Sequence, residues 1–152
     1  MAPFSTAAFD PKWYHSFGGP HYTYRDLHHV INGLRAEELV VGEEVVDALE
    51  IAGKMCTKDC RFKDNLPCAF MQKYKEWLDK NVNFDELVKK METAASRANM
   101  TDDETVIVLM VHEPASCKCA ERPVLQQYFR EHGIELPEWT PSHQNKEKIM
   151  LF

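Results

Sequence analysis

Seven of the sixteen aromatic residues lie in the first 25 positions: Phe4, Phe9, Trp13, Tyr14, Phe17, Tyr22 and Tyr24. The same stretch holds Pro3, Pro11 and Pro20 and the pair Gly18-Gly19. Proline removes a backbone donor and glycine loosens the chain, so a continuous helix is ruled out here, and no two-residue alternation marks a strand. Residues 1–25 are therefore expected to form an extended docking arm. Its aromatic surface needs cover, either across the chain's own helices or in a groove on another subunit, and Tyr, Trp and Phe are the residues that interfaces favour.

The remaining composition narrows the function classes. At 152 residues the chain is one domain by length, and 28% charged against 44% hydrophobic residues is ordinary for a globular protein. A net charge of −6 without a basic stripe argues against nucleic-acid binding. The longest apolar run is Val106-Ile107-Val108-Leu109-Met110-Val111, too short to cross a bilayer, so any membrane association is peripheral or through a partner. Lys12 is the only Lys or Arg before Arg25, unlike an Arg-rich presequence, which leaves import into an organelle open.

Along the chain, Thr23 can cap a short helix that Gly33 would end. A second helix starts at Glu43 and Glu44, places Val45, Val46, Leu49 and Ala52 on one face, and stops at Gly53. After a charged connection over residues 54–66, Pro67 opens a helix with Phe70, Tyr74, Trp77 and Leu78 in one stripe. Trp77 is expected to anchor that helix to the core. Asn83 with Glu86 resembles a capping box ahead of Leu87, Val88, Met91, Ala94, Ala95 and Ala98. The β-branched run from Thr105 to Val111 predicts a buried strand, and Pro123 opens a helix with Val124, Leu125, Tyr128 and Phe129 that Gly133 stops. From Leu136 onward an extended tail is expected. The fold class predicted is mainly α, divided into the arm (1–25), a helical domain (26–100), and a strand-helix unit with C-terminal tail (101–152).

Motifs for chemistry are sparse. The cysteines fall as Cys56-x3-Cys60-x7-Cys68 and Cys117-x-Cys119. Three states stay open for them: unbonded thiols, a Cys56–Cys68 disulfide closing a helical hairpin, or ligation of zinc or an iron–sulfur cluster. His28 and His29 point to different helical faces, and neither they nor His112 lie beside a nucleophile and an orienting acid. No residue is expected to be catalytic and no cofactor is implied by these patterns.

Residues 13–92 resemble the ubiquinol–cytochrome c reductase binding protein family, the small helical matrix-side subunit of the cytochrome bc1 complex. The matching elements are Trp13-Tyr14, Tyr24-Arg25, the turn Gly33-Leu34-Arg35 with Glu37-Glu38 and Leu39, Val45-x-x-Ala48-Leu49, Asp59-x-Arg61, Ala69, Lys75-Glu76-Trp77-Leu78-x-Lys80 and Leu87. Asp79 stands where that family has proline, and residues 100–152 have no counterpart. The resemblance implies a non-catalytic structural or assembly subunit of a respiratory-chain electron-transport complex. It would be peripheral on the matrix side of the mitochondrial inner membrane, in contact with cytochrome b and the core subunits. The partner-binding positions expected on this reading are Trp13, Tyr14, Phe17, Tyr22, Tyr24, Arg25, Arg35 and Arg61. A second resemblance, of residues 102–136 to the last strand-Cys-helix unit of 2-hydroxyacyl-CoA dehydratase subunits, implies instead a cysteine-ligated iron–sulfur or zinc protein with Cys56, Cys60, Cys68, Cys117 and Cys119 as candidate ligands.

Overall fold

Residues Ala2–Ser5 form β1, the middle strand of a parallel sheet. The computed structural model describes residues 2–7, 14–16, 31–51, 68–98, 106–111, 120–138 and 149–151. The other strands are β2 (Tyr14–Ser16), β3 (Ile31–Arg35), β4 (Ile107–Met110) and β5 (Ile149–Leu151), in the order β2-β3-β1-β4-β5. Every pairing is parallel, with Phe4 opposite both Leu34 and Leu109, Tyr14 opposite Ile31, and Val108 opposite Met150.

The sequence reading of the first 25 residues is corrected at β1 and β2. Ala2, Pro3, Phe4 and Ser5 are all buried, as both faces of a parallel strand require. Pro3 is tolerated because of where its missing donor falls. The amides of Ala2 and Thr6 donate toward β4, to the carbonyls of Val106 and Met110. Alternate residues therefore face β3, and the β1–β3 register begins at Phe4, just past the proline. Gly33 is likewise no helix stop: it lies inside β3. Added to Gly33, a Cβ would collide with the Tyr14 hydroxyl and come within 2.5 Å of the Pro3 carbonyl oxygen, so only glycine lets Tyr14 lie across β3 toward β1. The tail is corrected too, since its residues 149–151 pair with β4.

Four helices carry more of the described residues than the short strands do, in keeping with a mainly helical chain, although the strands among the described residues number five where one was expected. They are α1 (Glu43–Ile51), α2 (Ala69–Asn81), α3 (Phe84–Arg97) and α4 (Glu121–Glu131), with a 3-10 turn at Glu37–Leu39. The apolar spacing that predicted them also gives their buried faces: Met71, Tyr74 and Leu78 on α2, Phe84, Leu87, Met91 and Ala95 on α3, and Val124, Leu125, Tyr128 and Phe129 on α4. Gly133, at φ +85°, ends α4 in the left-handed conformation that its sequence position predicts.

The chain divides into two compact units that cut across the expected boundaries at 25 and 100: residues 1–40, 84–112 and 137–152 make one, and residues 41–83 and 113–136 the other. Parallel pairing is the reason, because neighbouring strands must be joined by long crossovers and so come from distant parts of the chain. The sheet unit has Tyr14, Val108 and Met110 packed together, with Val106 against them. In the helical unit α2 packs on α1 and α4. Tyr74 and Leu78 are fully buried there, whereas Trp77 is half-buried, stacked on Tyr74 at 6.4 Å. Its indole packs so closely on Gly42 that a Cβ there would be 2.8 Å from the ring. Trp77 thus lies at the flank of α2, against Gly42, while Tyr74 and Leu78 are the fully buried residues of that helix.

Candidate functional site

In the sheet unit α3 presents two stripes. Leu87, Met91 and Ala95 turn inward. The adjacent stripe, at the i, i+4 and i+8 spacing of Lys90, Ala94 and Ala98, opens a groove of about 630 Å³. Its floor is apolar: Ala94 and Ala98 leave a trough because their side chains are single methyl groups, and Leu34 of β3 supplies a wall. Lys89, Lys90 and Arg97 stand around it, with Glu86 and Thr93 completing the lining.

The cations are not equivalent. Lys90 is held at 2.8 Å by Glu38. That hydrogen bond and the carboxylate's charge raise the lysine's pKa above its ordinary value. Burial alone would raise the Glu38 pKa, but the bond from Lys90, a backbone bond and the lysine's charge bring it below the usual carboxylate value. Lys89 and Arg97 are exposed and form no ion pair among the described residues. The Thr93 hydroxyl donates to the Lys89 carbonyl at 2.8 Å. The groove is therefore an apolar trough with two available positive charges on its rim.

A second polar cluster lies at the carboxyl ends of β1 and β3, where parallel sheets commonly carry ligands. Arg35 donates from Nη2 to the Ala7 carbonyl at 2.8 Å and from Nε to Glu37 at 2.7 Å. The Ala36 amide donates to the Ser5 carbonyl at 2.9 Å, and the Ser5 hydroxyl accepts from the Ala7 amide at 3.3 Å. Thr6 is fully buried and its amide donates to the Met110 carbonyl at 3.1 Å. These groups tie the chain together as it leaves the sheet.

Charge in the helical unit is likewise paired within the unit. Lys75 of α2 bonds Asp79 at 2.7 Å and pairs with Glu131 of α4, with its ammonium 5.9 Å from the centre of the Tyr128 ring. Burial works against the charge of Lys75, but the bonds to Asp79 and Glu131 prevail and raise its pKa. Lys75 in turn holds the Glu131 pKa down, with help from Gln127. Burial raises that of Tyr128. The Tyr128 hydroxyl donates to the Val82 carbonyl at 3.3 Å, closing the link between α2 and α4.

Of the expected partner-binding residues, Tyr14 is corrected. It is fully buried, and its hydroxyl lies 2.7 Å from the Leu34 carbonyl oxygen and 3.0 Å from that of Pro3. Arg35 acts as the internal brace just described. Trp13, Phe17, Tyr22, Tyr24, Arg25 and Arg61 lie outside the described residues, as do Cys56, Cys60, Cys117 and Cys119. Cys68 is disulfide-bonded, which removes it as a thiolate ligand. Among the described residues no three His, Cys, Asp or Glu side chains gather to hold a metal. The sequence reading missed Lys89, Lys90 and Arg97. It names Ala94 and Ala98 only among the apolar residues of that helix, and the signal that separates them is their offset from Leu87, Met91 and Ala95, with cations one position or one turn away.

Among the described residues no helix is long and apolar enough to cross a membrane. Comparisons with protein-family models, curated proteins and solved structures found no match to the chain.

Proposed function

We propose that the chain is a non-catalytic, protein-binding subunit that docks onto a larger assembly through the outer stripe of α3 and Leu34. The observation that supports this most is the trough beside Ala94 and Ala98, an apolar concavity on a helix whose other apolar stripe is already buried. The pairing of Arg35 and Lys75 within their own units accords with a structural role, because these polar groups hold the chain together. The finer placement rests on the resemblance of residues 13–92 alone. On it, the assembly is a membrane-bound respiratory complex of the cytochrome bc1 kind and the chain is peripheral on the matrix side of the mitochondrial inner membrane.

Ala94→Phe is the test, since the ring would fill the trough from a half-buried position. In a mild detergent extract of the native source, the wild-type chain should migrate with a large complex containing cytochrome b. The variant, with its circular dichroism unchanged, should migrate alone. A well-folded Ala94→Phe chain still in the complex removes the groove as the docking site. A wild-type chain that migrates alone refutes the subunit role.

A further inference from the structure

We infer that the partner segment in the α3 groove is an acidic amphipathic helix, with aliphatic side chains on Leu34, Ala94 and Ala98 and carboxylates against Lys89 and Arg97. This rests on the docking role proposed above and names its partner chemistry. Charge complementarity carries it. The chain as a whole is acidic, at −6, yet the charged residues lining this trough are three cations, Lys89, Lys90 and Arg97, against one acid, Glu86. Lys90 is already matched by Glu38, so the unmatched charge sits at Lys89 and Arg97. Eight residues separate them, about 12 Å along the helix axis at the usual rise of ~1.5 Å per residue. A partner helix running alongside presents side chains at the same interval, seven or eight residues apart, on one face.

The form of the trough favours a peptide over a small amphiphile. Pockets for small apolar ligands enclose most of the ligand's surface, whereas this groove runs along the outside of a helix for about three turns, from Glu86 to Ala98. Helix-in-groove recognition uses such a surface: aliphatic anchors enter the trough and charges along the edge set orientation and partner choice. Against the chain's net negative charge the attraction is local, so it is short-ranged and weakens with salt.

The probe is a labelled synthetic helix carrying Leu at i, i+3, i+4 and i+7 with Glu on the flanks, titrated into the full-length chain by fluorescence anisotropy. A Lys-for-Glu analogue serves as comparison. The Glu peptide should bind roughly tenfold tighter than the Lys peptide, the size expected of two surface ion pairs. Lys89→Glu/Arg97→Glu should abolish or reverse that preference, Ala94→Phe should weaken both peptides, and Lys73→Glu on exposed α2 should change nothing. Equal binding of the two peptides, or an equal effect of Lys73→Glu, overturns the inference, as does saturable binding of sodium dodecanoate at the groove with neither peptide bound. Its failure is separable from that of the docking role. If Ala94→Phe releases the chain from its native complex while the Glu peptide fails to bind, the partner chemistry is wrong and the docking role stands. If the Glu peptide binds and the complex ignores Ala94→Phe, the inferred recognition holds and the docking role falls.

Discussion

Helices α3 and α4 are built on the same amphipathic plan but dispose of their charge in opposite ways. On α4, Glu131 is taken by Lys75 and Gln127, Arg130 bonds Glu135 at 3.0 Å, and the Gln126 amide donates to the Leu136 carbonyl at 3.3 Å. On α3, among the described residues, only Lys90 of the three groove cations is so engaged. A helix whose polar side bonds within its own unit is a structural part. One that leaves two cations beside an apolar trough retains capacity to bind something else. Nothing in composition separates the two helices; the positions of alanine and of partner carboxylates do.

The contrast can be broken most severely at the strand that orders the sheet unit. Deleting residues 1–16 removes β1, on which both β3 and β4 pair, and with it Phe4 and Tyr14 from the core. The loss should exceed the whole stability of a small domain, on the order of 5–15 kcal/mol. Hydrogen exchange would then show no protection at Leu109. Persisting protection would mean that the N-terminal segment is an appendage after all.

Core truncation on α4 should come next. Phe129 is fully buried, so Phe129→Ala should cost about 3–5 kcal/mol in chemical denaturation. Ala94→Phe on α3, entering an open trough, should stay within about 0.5 kcal/mol. Similar costs for the two would show that the α3 trough is closed in solution. Trp77→Ala, at a half-buried flank, should fall between them at roughly 2–3 kcal/mol.

Gly33→Ala probes the sheet more finely. Its methyl would displace the Tyr14 hydroxyl from the Pro3 and Leu34 carbonyls, at about 1–3 kcal/mol for overpacking. Tyr14→Phe removes only the hydroxyl and should cost about 1 kcal/mol, measured as a shift in denaturation midpoint. If Gly33→Ala is neutral, the Tyr14 ring does not cross β3 as described.

The smallest effect is in pH. Lys75 has its pKa raised, so its contribution is complete below 10.5 and is lost as pH rises through the higher folded value. Tyr128 acts in the same direction above 10.0. Glu131 has its pKa lowered, so its contribution is present above 4.5 and lost as pH falls below it. Glu131 is partly exposed, which limits the effect to under about 1 kcal/mol. Lys75→Met should flatten both limbs of the melting temperature against pH, and unchanged limbs would mean that the pairing is not formed in solution.

Helices and the strand at Ile107–Met110 were legible because their cause is local. Leu87, Met91 and Ala95 recur at helical spacing whatever surrounds them, and a β-branched run between polar segments is a strand in most contexts. The groove was half legible: its alanines were visible as apolar, but their distance from the buried stripe and the pairing of Lys90 with Glu38 depend on a residue 52 positions away.

By itself the amino-acid sequence determined four amphipathic helices, one apolar strand, the glycine that stops α4, and a net negative charge. Tertiary structure alone decided that Pro3 can sit in a central strand, that Gly33 belongs to a sheet, that Tyr14 is internal, and that Lys90 pairs with Glu38. The physical reason is the range of the interactions. Helical periodicity is written within a few residues, whereas a parallel ladder, a glycine crossed by a tyrosine and a matched or unmatched charge are set by segments far apart in the chain and close together in the fold.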